Sequence, residues 1–209
     1  MKLQVILGST RPGRVTERVA KWVVTTAGQL DDTTVELVDL ADYAMPFMDE
    51  TISPRYNPNR DINPMVQQWI DKIAEGDAYI FVTAEYNHSI SGVLKNAIDY
   101  LTFELTKKPA TAVGHGTVGG ARAIMHLKEI LSESQAAIIP KTVALAHASE
   151  SLDEAGNLSE ALKANPYGPQ NALQAMLEEL KWYSDALSNA RNDVGDAVQH
   201  GKELSTAKA

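Results

Sequence analysis

The chain begins with a short apolar run, residues 3–7, rich in β-formers and stopped by Gly8. Runs of that kind recur along it. Residues 33–38 alternate as a half-buried strand does, and residues 77–82 form a nearly continuous apolar run, the pattern of a strand covered on both faces. Residues 110–113 supply a fourth strand. Residues 136–139 and 142–146 supply a fifth, broken by Pro140.

Between these runs apolar positions recur at three and four residues, the spacing of a helix with one buried side. Val15, Val19, Trp22, Val23 and Ala27 make the first stripe, and Gly28 stops it. Asn63 and Pro64 form an N-cap and first-turn pair ahead of Val66, Trp69, Ile70 and Ile73. Val93, Leu94, Ala97, Ile98, Leu101 and Leu105 give a third stripe, closed by Lys107, Lys108 and Pro109. Ala123, Ile124, Leu127, Ile130 and Leu131 give a fourth. A fifth starts near Pro169 and carries Leu173, Met176, Leu177, Leu180 and Leu187.

Two stretches break the alternation. Residues 41–62 have no period and carry Pro46, Pro54 and Pro58 among Tyr43, Phe47, Met48, Arg55 and Tyr56. A connection on the order of twenty residues is long for a compact domain and is usually functional, so a flap with a helical turn is expected beside the site. Residues 147–168 are polar and rich in turn formers. The expected organisation is one domain over residues 1–192 and a polar tail over 193–209, frayed or docked on a partner.

Strands alternating with helices predict an α/β fold, a doubly wound parallel sheet of five strands with helices on both faces. Right-handed crossovers and five strands fit the flavodoxin-like order 2-1-3-4-5. In that winding the ligand sits beyond the carboxyl ends of strands 1 and 3, at the switch point.

Composition narrows what the ligand can be. At 209 residues, 44% hydrophobic and 22% charged, the chain is of ordinary globular type. A net charge of -8 argues against nucleic acid or an anionic membrane as main partner. It leaves room for a small anion held by a local cluster of donors. There is no cysteine, which excludes disulfides, thiolate metal sites and thiol nucleophiles. Any redox function therefore runs through a bound cofactor. No secretory leader is visible, and no apolar run nears the roughly 18 to 20 residues that span a bilayer. A cytoplasmic protein is expected.

Polar residues then gather at the expected strand ends. Gly8, Ser9, Thr10, Arg11, Pro12, Gly13, Arg14, Val15 and Thr16 follow the first strand and run into a helix. Free helix N–H groups, hydroxyls and two guanidiniums suit a phosphate dianion. The loop has neither the Gly-Lys-Ser/Thr of a Walker motif nor Gly-x-Gly-x-x-Gly. After the third strand come Glu85, Tyr86, Asn87, His88, Ser89 and Ser91. They include no Gly-x-Ser-x-Gly elbow, and the histidines lack the spacing of metal ligands. After the fourth strand, His115, Gly116, Thr117, Gly119 and Gly120 leave backbone N–H groups bare for the edge of a planar ring.

Those three motifs, with Leu94-Lys95-Asn96-Ala97-Ile98-Asp99 after the second and Ala121-Arg122-Ala123 after the third, resemble the NADPH-dependent FMN reductase family over most of residues 2–190. The resemblance implies a flavodoxin-like fold and FMN as cofactor. It also implies NADPH or NADH as co-substrate and a small electron acceptor (a quinone, free flavin, azo compound or metal oxyanion). Ser9, Arg11, Arg14, Val15 and Thr16 would hold the phosphate. Glu85, Tyr86, Asn87, His88 and Ser89 would border the isoalloxazine, and His115, Gly116 and Gly119 would complete its pocket. No catalytic side chain and no metal are expected, because the flavin carries the hydride. Ping-pong kinetics and a homodimer or tetramer are expected too. This sequence departs from the family pattern at Ala84, where proline is usual, and at Ile90-Ser91-Gly92. The residues by themselves also allow a one-electron carrier or a flavin-sensing protein without a nicotinamide reaction.

Overall fold

The structure, a computed structural model, describes residues 1–193. The expected tail, but for Asp193, falls outside the described residues. Strands β1 (Lys2–Leu7), β2 (Thr34–Asp39), β3 (Ala78–Ala84) and β4 (Pro109–Gly116) pair in parallel in the order β2-β1-β3-β4. The fifth position is shared: β5 (Ala137–Ile138) pairs with Pro109 and Ala110 at one end of β4, and β6 (Val143–Ala146) with the segment from Val113 to Gly116 at the other. The break falls at Pro140, which has no N–H to give to a ladder. Fold class and strand order are those expected, flavodoxin-like with helices around the sheet.

Side-chain alternation divides the core in two. Leu3, Val5 and Leu7 of β1, with Ile80 and Val82 of β3, face α1 (Thr16–Ala27) and the last helix, α7 (Pro169–Asp193). Ile6, Tyr79 and Phe81 face α2 (Pro64–Ala74), α3 (Gly92–Asp99) and α4 (Ala121–Glu133). On α7 the stripe residues Leu173, Met176, Leu177 and Leu180 are all buried in the first cluster. Two short helices, α5 (Ala148–Ser151) and α6 (Glu160–Ala164), occupy the polar stretch between β6 and α7.

The third helix is shorter than its apolar stripe. It ends at Asp99, and Leu101 and Leu105 are buried from the turns that follow. Spacing alone cannot separate a helix from a turn that reuses its face. Strands β3 and β4 each run past their apolar stretch to Ala84 and Gly116, so the chemistry-bearing loops start later than expected.

The 41–62 connection contains single helical turns at Leu40–Asp42 and Pro54–Tyr56. It is strapped to α3 rather than free. Met48 N–H donates to Asn96 Oδ1 (2.9 Å), and Asn96 Nδ2 donates to the Pro46 carbonyl (2.7 Å). Arg60 forks onto Glu50 and reaches the Tyr100 carbonyl (3.1 Å). Among the described residues no helix is long and apolar enough to cross a membrane.

Candidate cofactor-binding site

A cleft of about 350 Å³ opens at the carboxyl edge of the sheet, between the loops that leave β1, β3 and β4. Arg11, Gly13, Arg14, Val15 and Thr16 form one wall, Ala84 and Tyr86 another, and His115, Gly116 and Thr117 a third. His147, Ala148 and Ser149, just beyond β6, close the remaining side. A larger hollow of about 470 Å³ lies past Thr10, between the 40–47 segment and α3, but no cationic side chain lines it. In the first cleft cationic side chains meet free amides at a helix start, a combination that suits an anion.

The β1 loop is braced from within. Ser9 is buried, with Oγ 2.9 Å from Tyr86 Oη and 3.4 Å from Arg11 N. Arg14 donates to the Ser9 carbonyl (2.6 Å) and forms an ion pair with Asp39 at the end of β2. Arg11 is exposed and makes no ion pair among the described residues. At the start of α1 the N–H groups of Gly13, Val15 and Thr16 find no acceptor among the described residues. Gly13 has φ +69°, and nothing lies within 4 Å of where its side chain would be. Unpaired amides, the helix dipole and a free guanidinium at one open place suit a phosphate.

The β3 loop is a tight hairpin. Tyr86 and Ser89 exchange N–H···O bonds of 2.9 and 3.0 Å around Asn87 and His88, both with positive φ (50° and 70°). That is the geometry of a two-residue primed turn, which asparagine enters readily and histidine less so. His88 Nε2 is 2.9 Å from an Arg122 guanidinium nitrogen, and Ser89 Oγ is 3.2 Å from His126 Nδ1. Ser91 caps α3 through the Leu94 N–H (3.2 Å) and donates its own proton to the Gly8 carbonyl (2.5 Å). Strand alternation points the Ala84 N–H toward β1, beyond the last ladder pair there, Leu7 with Val82.

Glu85 leaves the hairpin and caps α4. Its carboxylate accepts the Arg122 N–H (3.2 Å) and pairs with the Arg122 guanidinium. It thereby supplies the cap that Gly120 lacks. Burial pushes the Glu85 pKa up, but the bonds from Arg122 outweigh it and hold the carboxyl below the usual range. Gly120 has φ +77°, and a side chain there would meet His115 N at 2.6 Å. His115 pairs with Ala84 in the ladder, accepts the Glu85 N–H on its carbonyl (2.9 Å), and places Nε2 2.8 Å from Thr16 Oγ1. Burial lowers its pKa to about 4, so the ring is neutral near pH 7.

Of the expected residues, the cleft collects Arg11, Arg14, Val15, Thr16, Tyr86, His115 and Gly116. Ser9 sits beneath Tyr86, Glu85 turns to α4, and Asn87, His88 and Ser89 form the hairpin rim. Gly119 backs onto Ala144 of β6. The segment that begins at His147 is not among the expected site residues. Its signal was position, directly after the fifth strand at the ligand-binding edge.

This winding, with the β1 and β3 loops meeting at the switch point, defines a flavodoxin-like fold. More narrowly, the chain belongs to the NADPH-dependent FMN reductase family, which it matches over residues 1–150. It is 39% identical over 134 residues to an NAD(P)H-dependent FMN reductase of Nectria sp, covering 62% of this chain and 67% of that one. A quinone reductase of Escherichia coli strain K12 is 32% identical over 149 residues, covering 67% and 75%. The flavoenzyme NAD(P)H:(acceptor) oxidoreductase FerB of Paracoccus denitrificans matches with a TM-score of 0.71, over 88% of this chain and 97% of that one. At 22% identity that likeness establishes the fold. The chain is an oxidoreductase of a family that uses FMN as cofactor and NAD(P)H as co-substrate.

Proposed function

We propose that the cleft holds FMN and serves the reduction of a small acceptor, of the quinone, free flavin, azo or metal oxyanion class, at the expense of NADPH or NADH. The observation that carries this is the meeting of an anion site at α1 with the β3 and β4 loops in one cleft. The residues fit the cofactor. Arg11 and the amides of Gly13, Val15 and Thr16 take the phosphate, while Ser9 and Arg14 fix the loop's shape. Tyr86 and Gly116 border the ring from two sides, with the rim residues Asn87, His88 and Ser89 and the glycine turn at Gly119 framing them.

When bound, FMN supplies the hydride chemistry between nicotinamide and acceptor. The chain's own work is to hold the ring flat, leave one face open and offer neutral or positive donors at its edge. Tyr86 is the one Phe, Tyr or Trp in the lining. An electron carrier clamps its ring between aromatics, so the single tyrosine favours a substrate-accepting enzyme.

One open face serves nicotinamide and acceptor in turn, which makes the kinetics ping-pong. Parallel double-reciprocal lines are expected, and intersecting lines would overturn that mechanism. The first test is simpler. Purified protein should be yellow or turn yellow with FMN, and NADPH or NADH should bleach it without oxygen. A colourless protein that takes up no FMN defeats the reading.

The functional unit in this reading is a homodimer or a tetramer. Phe47, Ile52, Tyr56 and Met125 are exposed along the 41–62 segment and α4. The 41–62 segment of one subunit would then approach the cleft of another. A sedimenting monomer with full activity would refute that.

A further inference from the structure

His115 enters the cleft from beneath. Strand alternation sends it, like Val113, to the face of the sheet that carries α1. There its Nε2 meets Thr16 Oγ1 at 2.8 Å, with Thr16 only 1% and His115 only 8% exposed. The contact sits directly under the first turn of α1, whose dipole disfavours an imidazolium, and burial disfavours it as well. Two neutral groups share one hydrogen bond here, and either atom could be the donor.

An anion at the same helix start decides which. A phosphate dianion only accepts, so the Thr16 hydroxyl must spend its single proton on it. Thr16 oxygen can then only accept from the ring, which requires the tautomer protonated at Nε2. The reverse tautomer would draw the Thr16 proton down into the sheet and face the anion with a lone pair. Arg11 and Arg14 from the β1 loop, Tyr86 from the β3 loop and His147 from beyond β6 share the cleft. Arg11 already supplies positive charge, and a neutral donor at position 115 suffices.

We propose that His115 is the positioning residue for the phosphate end of the cleft: its Nε2–H donates to Thr16 Oγ1 and turns that hydroxyl's proton toward the anion. The proposal rests on the flavin reading above. It gives His115 a phosphate-side task rather than a contact with the ring.

FMN and riboflavin differ only in the phosphate, so their affinities for apoprotein, read by quenching of flavin fluorescence, separate the two tasks. His115→Leu and Thr16→Val should each weaken FMN about tenfold, the scale of one hydrogen bond to a charged group. Riboflavin affinity should hold within about twofold. The double variant should bind FMN no more weakly than Thr16→Val alone, because that change already removes both the bond to His115 and the hydroxyl it orients. His115→Gln, which keeps an amide N–H near the Nε2 position, should recover most of the loss. Independently of any variant, ¹⁵N spectra of wild-type protein should show the Nε2-protonated tautomer with FMN bound, and this holds even if His115→Leu fails to fold. The Nδ1-protonated tautomer, equal losses for FMN and riboflavin, or additive losses in the double variant would each overturn the proposal. Wild-type protein that takes up neither flavin would instead overturn the flavin reading itself, and the proposal with it.

Discussion

Arg14 and Asp39 are joined in an ion pair that ties the β1 loop to the end of β2, and the pair takes one of the loop's two guanidiniums out of service as an open anion donor. Arg11 keeps its charge for the cleft. Two arginines three residues apart thus have separable effects.

Arg11→Ala should raise the Kd for FMN at least tenfold while leaving the melting temperature unchanged, since a hydrogen bond to a charged group contributes about 1.5–3 kcal/mol. Arg14→Ala should do the opposite first. Removing a guanidinium that is mostly buried leaves Asp39 and the Ser9 carbonyl short of a donor, at a cost of about 2 kcal/mol. Calorimetric melting of the two apoproteins beside FMN titrations checks the division. Equal loss of stability in both would contradict it.

Ala84→Pro should be tolerated. The Ala84 N–H points to the β1 side, past the last ladder pair there (Leu7 with Val82), and Thr83 before it is already extended. Stability should stay within about 1 kcal/mol of wild type, against about 3 kcal/mol where a used N–H is lost. Urea unfolding of the variant is the measurement. A loss near the larger figure would show that the φ at this position is wrong for proline.

Acid should weaken the fold in two windows. The folded pKa of His115 is lowered to about 4 by burial, below the ordinary value of 6.5. The unfolded chain therefore takes up a proton first, and stability falls as pH drops from about 6.5 toward 4, by on the order of 3 kcal/mol. Glu85 is also lowered, so the stability it contributes is present above the ordinary carboxyl range and is lost as pH falls through its folded value. Unfolding free energies between pH 4.5 and 7 should slope for wild type and flatten for His115→Gln. An unchanged slope would assign the titration elsewhere.

Two glycines with positive φ should respond differently to alanine. At Gly13 the new methyl meets nothing within 4 Å, leaving only the left-handed penalty of roughly 1–2 kcal/mol. At Gly120 it would stand 2.6 Å from His115 N and 2.9 Å from the Gly114 carbonyl carbon. That variant should lose well over 2 kcal/mol, adding a backbone clash to the same penalty. Comparative chemical denaturation tests the order, and a Gly13 variant that proved the less stable would reverse it.

Winding, strand order and the three loops were legible in the sequence because they rest on local signals: apolar runs of strand length, helical stripes, and polar clusters where a strand ends. The directions of the side chains were not. Glu85 is written beside Tyr86, yet it turns to cap α4, because its partner Arg122 is fixed only by the fold. Arg14 is spent on Asp39, across two strands. His147 stayed hidden although the strand before it was legible, because the stretch it opens is polar and turn-rich with no period to mark a site. Leu101 and Leu105 kept the helical spacing after the helix had stopped.

The reach of α7 has a consequence for truncation. The family match ends at residue 150, yet Leu173, Met176, Leu177 and Leu180 pack beside α1 on the same face of the sheet, over β4 and β6. A fragment cut at residue 150 would retain every residue that lines the cleft and expose that layer to water. It should collapse into a sticky, partly ordered state and fail to acquire flavin, so the part of the chain that lines the cleft is smaller than the part that has to fold.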